Sequence, residues 1–173
     1  GVMTPEVVCR DSARARLRTE LGIPSEAFVV GAVGRLVSVK DYGTALRAIA
    51  RVGNQRIRLL LVGDGPEKES LMALTRQLGI SERVRFAGYH ENVGNCLSAM
   101  ELCINTSVSE GMSQSILEAM SFGLPQIVTD VGDSAELVSA PLQCGIVIPS
   151  ANDRELASAI EQISEDRNLL ALG

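Results

Sequence analysis

The chain has 173 residues, 46% hydrophobic and 21% charged, with net charge −5 and a sequence pI of about 5.0, which suffices for one globular domain with a core of its own. No apolar run approaches the ~18 residues of a membrane-spanning helix. The basic residues are scattered, and with no Trp, three Phe and two Tyr the chain lacks the basic stripe and stacking platforms of a nucleic-acid binder.

Short β-rich apolar runs alternate with helix-length segments from end to end. In chain order the pattern predicts a helix over 11–21, a strand over 28–33, a helix over 41–52, a strand over 57–62 and a helix over 67–78. It continues with a strand over 84–87, a helix over 92–100, a strand over 102–105, a helix over 114–122 and a strand over 126–129. A short helix over 134–138, a strand over 145–148 and a helix over 153–165 complete it. In the last helix Leu156, Ala159, Ile160 and Ile163 share one face, with Glu155, Glu161 and Glu165 among the polar positions between.

Strands that alternate with helices build a parallel sheet covered on both sides, and such strands read as unbroken apolar runs. Right-handed crossovers then point to a doubly wound, Rossmann-like α/β sheet of about six strands in a single domain over 1–173. In this fold the strand-to-helix loops share the carboxyl edge of the sheet. Here those loops are Gly34-Arg35-Leu36, Gly63-Asp64-Gly65-Pro66, Gly88-Tyr89-His90-Glu91, 106–113 and Asp130-Val131-Gly132-Asp133, all rich in Gly and polar residues. The returns on the other edge, such as Leu78-Gly79-Ile80, look like plain helix stops. Ligand chemistry is therefore expected on the carboxyl edge.

The cysteines, Cys9, Cys96, Cys103 and Cys144, form no Cys-x-x-Cys pair, and His90 is the single histidine. Zinc needs closely spaced soft ligands, so free thiols in a reducing cytoplasm are the expectation.

The segment 107–120, SVSEGMSQSILEAM, is the richest in signals. A strand ends before it, Gly111 permits a close backbone approach, and Ser113 suits an N-cap. The helix start behind it offers unpaired N–H groups and a partial positive charge, an anion cradle. Glu118 lies within the helix. It either faces solvent or, if buried, needs donors such as a ribose diol. Glu110 is either a loop carboxylate favoured near a helix N-terminus or a ligand-facing one.

Glu110 and Glu118, with seven residues between them, resemble the paired-glutamate signature of family 4 of the retaining glycosyltransferases, two-domain enzymes of the GT-B fold. The resemblance extends to Ser109-Glu110-Gly111, Leu117-Glu118-Ala119-Met120, Gly123-x-Pro125 and Val128-x-Asp130-Val131-Gly132. It continues in Gly34-Arg35-Leu36 followed by Lys40, in 62–66 and in 84–88, and Gly1-Val2 resembles the junction that precedes the second domain. It thus covers nearly the whole chain in order. It implies the donor-binding half of a longer enzyme whose N-terminal acceptor domain lies outside these residues.

The resemblance also implies roles. Arg35 and Lys40 would bind the donor diphosphate and stabilise charge on the departing nucleotide. Glu110 would face the transferred sugar, and Glu118 would hold the ribose. Gly34, Gly63 and Gly65 would line the nucleotide, with Gly88 and Tyr89 near the base, and N–H groups of Gly111, Met112 and Ser113 would contact the sugar or diphosphate. Tyr89 reads equally as a surface aromatic. Lys40 stands just before a helix that starts near Asp41, where a cation is disfavoured unless an anion is bound. Pairing with Asp41 is the bland alternative. The donor would be a UDP-, GDP- or ADP-sugar, with no cofactor and no metal, since Arg, Lys and helix N-termini supply the charge. The parent enzyme would be cytoplasmic, with room for peripheral contact at the inner membrane face.

Asp133 stands where relatives often have a second Gly, which puts that loop's approach to a ligand in question, and His90 reads as a solvated loop residue. Three other readings stay open: an epimerase or phosphorylase of the same architecture, a binding module that has lost catalysis, and a dinucleotide-binding domain. For the last, 63–68 has Lys68 in place of the third glycine and follows the wrong strand.

Overall fold

A computed structural model describes residues 5–111, 113–139 and 145–165. The chain runs α1 (Pro5–Glu20), β1 (Phe28–Val33), α2 (Tyr42–Arg51), β2 (Ile57–Val62), α3 (Lys68–Gln77), β3 (Val84–Gly88) and α4 (Val93–Ser98). It continues through β4 (Leu102–Asn105), α5 (Gln114–Ser121), β5 (Gln126–Thr129), α6 (Ser134–Ser139), β6 (Gly145–Ile148) and α7 (Asp153–Glu165). The six strands form one parallel sheet in the order β3-β2-β1-β4-β5-β6, with β1 in register against β2 from Phe28↔Ile57 to Val33↔Val62.

The unbroken apolar runs follow from the two-sided burial. Along β1 and β2, Val30, Ala32, Leu59 and Leu61 enter one core layer with Leu46, Ile49, Leu156 and Ile160 of α2 and α7. Their neighbours Val29, Leu60 and Val62 point the other way, into a layer with Leu17 of α1 and Leu97 of α4. The period of two in a strand sends alternate residues to opposite faces, so burial of both faces requires every position to be apolar. Among the described residues no helix is long and apolar enough to cross a membrane.

Most helix ends lie within one or two residues of the sequence expectation; the start of α1 differs by six. α1 is already helical at Pro5, the first described residue, instead of starting near 11. α4 stops at Ser98, and Ala99 and Met100, the latter expected to close the helix, form a buried turn into β4. β3 runs one residue further, to Gly88. Cys96 and Cys103 are free, buried thiols, with burial raising Cys96 to about 11 and Cys103 to about 12. Cys144 lies outside the described residues.

Two buried guanidiniums organise the amino edge. Arg18, 4% exposed, donates to the carbonyls of Ser25 (3.1 Å), Ala27 (3.0 Å) and Ala99 (3.0 Å) and to the Glu101 carboxylate (2.8 Å). Glu101 also accepts from Arg14 and from the Val29 N–H, the latter at 2.7 Å. One ion network thereby ties α1 to the starts of β1 and β4. Arg83 donates to the carbonyls of Ile49 (3.1 Å), Val52 (3.2 Å), Asn54 (3.1 Å) and Ile57 (3.3 Å), which satisfies the C-terminal end of α2.

Candidate active site

The strand order reverses between β1 and β4, so the loops that leave these two strands diverge and open a crevice at the carboxyl edge. Both loops carry residues singled out from the sequence.

After β1, Gly34, Arg35 and Leu36 are zipped to the loop after β2. The Leu36 N–H donates to the Asp64 carbonyl at 3.0 Å, and the Glu67 N–H donates to the Leu36 carbonyl at 3.0 Å. The approach leaves no space for side chains: a Cβ on Gly63 would sit 2.0 Å from the Gly34 carbonyl oxygen, and one on Gly65 would sit 2.6 Å from that of Leu36. Gly63 and Gly65 thus have a packing reason to be glycine, whatever they do for a ligand, which weakens the dinucleotide reading of 63–68. Gly88 closes the same corner, its carbonyl accepting from the Gly63 N–H at 2.8 Å.

Gly34, Arg35, Gly63, Gly65, Tyr89 and His90 line a cavity of about 510 Å³ floored by Val33, Val62 and Val93. Arg35 is exposed, and its guanidinium has no hydrogen bond or ion pair among the described residues. Tyr89 is 77% exposed at the rim. His90, expected as a solvated loop residue, is half-buried in the cavity wall. Its Nε2 lies 3.2 Å from the Ala87 carbonyl, which can only accept, so that nitrogen carries the hydrogen.

The chain next makes a 3-10 turn over Ser38–Lys40, and Asp41 caps α2 with φ 50 and ψ 48, a left-handed conformation unusual for a residue with a side chain. Thr44 donates to the Asp41 carboxylate at 2.6 Å. Lys40 turns away from Asp41, against the local pairing considered from the sequence, and its Nζ lies 3.2 Å from Oε2 of Glu110, 70 residues on.

The loop after β4 holds Glu110 from several sides. Ser107 Oγ donates to Oε2 at 2.7 Å, so one carboxylate oxygen serves both Ser107 and Lys40. Burial alone would raise the Glu110 carboxyl, but hydrogen bonds from Ser107, Lys40 and Asn105 and the Lys40 charge together bring it below the ordinary glutamate value. Asn105 Oδ1 accepts from the Ser107 N–H at 3.0 Å, and its amide donates to Ser113 Oγ at 3.2 Å. Ser113 is the N-cap of α5, accepting from the Ile116 N–H at 3.3 Å. Behind the loop stands Gly132, at φ 51. A Cβ there would lie 1.8 Å from the Glu110 carbonyl oxygen, so the loop after β5 is a backstop for Glu110, and Asp133 next to it points into solvent-exposed space.

Lys40, Glu110 and Ser113 are therefore joined by one hydrogen-bond network, and Gly34, Arg35, Gly63, Gly65 and Tyr89 by one cavity. Gly111 is exposed with open space around it. Glu118 sits half-buried on α5, without a hydrogen bond or ion pair from its carboxylate among the described residues. Met112 lies outside them. Among the described residues no three His, Cys, Asp or Glu side chains cluster as a metal site would require. The sequence reading missed Asn105, Thr106 and Ser107. A run of three polar residues at the end of an apolar strand was the available signal.

The sequence profile of the family described as glycosyl transferases group 1 matches residues 27–166. The chain belongs to that family. Among group 1 relatives, the lipopolysaccharide core biosynthesis glycosyltransferase LpsE of Rhizobium meliloti (strain 1021) is 33% identical over 152 residues, 88% of this chain and 44% of that protein. The 2-deoxystreptamine glucosyltransferase of Streptomyces kanamyceticus is 27% identical over 95% of this chain and 45% of its own length. The crystal structure of Anabaena HepE in complex with UDP-glucose matches with a TM-score of 0.85 at 28% identity, over 98% of this chain and 46% of that one. The chain spans less than half the length of each. Its sheet is that of the GT-B glycosyltransferases.

Proposed function

We propose that the chain supplies the donor site of a retaining glycosyltransferase that moves a sugar from a nucleoside diphosphate to an acceptor hydroxyl. The observation that carries this reading is that Lys40 meets Glu110 where the strand order reverses, with the Lys40 side chain also beside Gly34, which lines the same cavity as Arg35. The Gly34 and Arg35 backbone runs beside the cavity, whose apolar floor suits a nucleobase. The diphosphate lies between Arg35 and Lys40, which neutralise its charge with no metal. Glu110 faces the sugar, the N–H groups at the start of α5 meet the sugar or diphosphate, and Glu118 accepts from the ribose hydroxyls. That HepE is described with UDP-glucose supports a nucleotide sugar as the ligand class.

The acceptor site belongs to a further domain of the parent enzyme, which works in the cytoplasm or at the inner face of the membrane, in polysaccharide or lipopolysaccharide assembly. Calorimetric titration of the 173-residue chain with UDP, GDP and ADP and their glucose or mannose conjugates tests the donor site. One nucleotide series binds, weakly, and Lys40→Ala weakens it about tenfold, ~1.4 kcal/mol. No binding by any nucleotide, with the protein folded, would overturn the reading. Sugar transfer by the isolated chain would contradict the assignment of the acceptor site elsewhere.

A further inference from the structure

The last residue of β4 and the two after it, Asn105, Thr106 and Ser107, are all buried and all polar. Such groups are costly unless bonded, and their bonds run to the two loops that carry Lys40 and Glu110. Thr106 Oγ1 donates to the Lys40 carbonyl at 2.6 Å and lies 3.1 Å from that of Asp41. Ser107 Oγ donates to the Glu110 carboxylate at 2.7 Å, and the Ser107 carbonyl is itself fixed by Thr129 Oγ1 at 2.6 Å. Asn105 bonds the Ser107 N–H and the Ser113 hydroxyl.

We infer that Thr106 and Ser107 are positioning residues with separable duties: Thr106 sets the Lys40 turn for the diphosphate, and Ser107 sets Glu110 for the sugar. The inference rests on the donor-site reading above. Two features support the division. Asp41 holds a left-handed conformation at φ 50, which a residue with a side chain keeps only when its surroundings enforce it. Thr106 Oγ1 donates to the carbonyl on one side of the Asp41 Cα and lies against the carbonyl on the other, so it is one of the enforcing groups. Ser107 matters for a different reason. Lys40 and Ser107 share one Glu110 oxygen. When a diphosphate draws the ammonium away, Ser107 still holds that oxygen in place.

The test uses the 173-residue chain with UDP, UDP-glucose, GDP and GDP-mannose, and binding of at least one pair by the wild type is its control. Thr106→Val, similar in shape but without the hydroxyl, weakens nucleotide and nucleotide sugar alike, by about tenfold, while Thr106→Ser stays within about twofold of wild type. Ser107→Ala leaves the bare nucleotide within about twofold and weakens the nucleotide sugar about tenfold. Circular dichroism and thermal melts establish that each variant is folded at the titration temperature. Wild-type binding of Thr106→Val, or equal losses for both ligands in Ser107→Ala, overturns the inference but leaves the donor site standing. Where the wild type binds none of the four probes, nor ADP or ADP-glucose, the donor reading fails first. Carbon-13 NMR of the Glu110 carboxyl then decides the Ser107 contact alone: its titration moves up in Ser107→Ala, and an unmoved titration overturns it.

Discussion

Arg18 and Arg35 lie near opposite ends of the same strand and have opposite surroundings. At the amino edge, Arg18 is enclosed by three backbone carbonyls and a carboxylate, and Arg83 by four carbonyls. Each guanidinium nitrogen of these two arginines has a protein partner, and the bonds reach between elements distant in sequence. At the carboxyl edge Arg35 and Glu118 have no such partner among the described residues, and Lys40 and Glu110 answer each other across a partly open crevice. The same side-chain chemistry fastens the fold at one edge and stays available at the other. Ionic groups that stabilise should be costly to remove and indifferent to ligand; groups held for a ligand should be the reverse.

Four measurements press on that contrast, the first with the largest expected effect. Arg18→Met should lower unfolding free energy by about 3 kcal/mol in urea titrations, since Glu101 loses its most buried partner, with nucleotide binding unchanged while the protein is folded. Arg83→Met should cost about 2 kcal/mol by the same measurement, because four carbonyls lose a charged donor. A smaller effect is expected at Glu110. A carboxylate whose folded pKa lies below its unfolded value, about 4.3, adds stability above that pH and gives it up as pH falls toward the folded value. Glu110→Gln should therefore flatten the acid limb of the stability profile below about pH 4.3; an unchanged limb would show that Glu110 gains nothing from Ser107 and Lys40. Arg35→Ala should be the mildest, shifting stability by no more than about 0.5 kcal/mol while it weakens nucleotide binding. A large loss of stability from Arg35→Ala would erase the distinction between the edges.

The strands were legible in the sequence because burial on both faces leaves an unbroken apolar run, and five of the six fall where the pattern places them. Helix ends were less so. Polar residues at 10–12 read as a start, yet α1 continues through them to Pro5, since an exposed helix face tolerates them. In the site, Lys40 and Glu110 were readable as individuals but their pairing was not. A local partner for Lys40 stood next to it in Asp41, and nothing in the linear order says that Thr44 engages that carboxylate and frees the lysine for a residue 70 positions away. At the polar end of β4 the run of polar residues was visible but its partners were not: Thr106 bonds backbone carbonyls, which carry no residue identity, and Ser107 and Asn105 bond groups that only the folded loop brings near.

Leu36 sits next to Arg35 and is 1% exposed. With its N–H and carbonyl both bonded to the neighbouring loop, it acts as a keel under the arginine. The main chain at Arg35 has no freedom to surrender when a ligand arrives, and only the side-chain torsions remain to be ordered, at a cost of about 0.5–1.5 kcal/mol. A long, mobile cation mounted on an immobile base can follow phosphates of somewhat different placement, so tolerance toward the ligand's pose is built into a rigid frame.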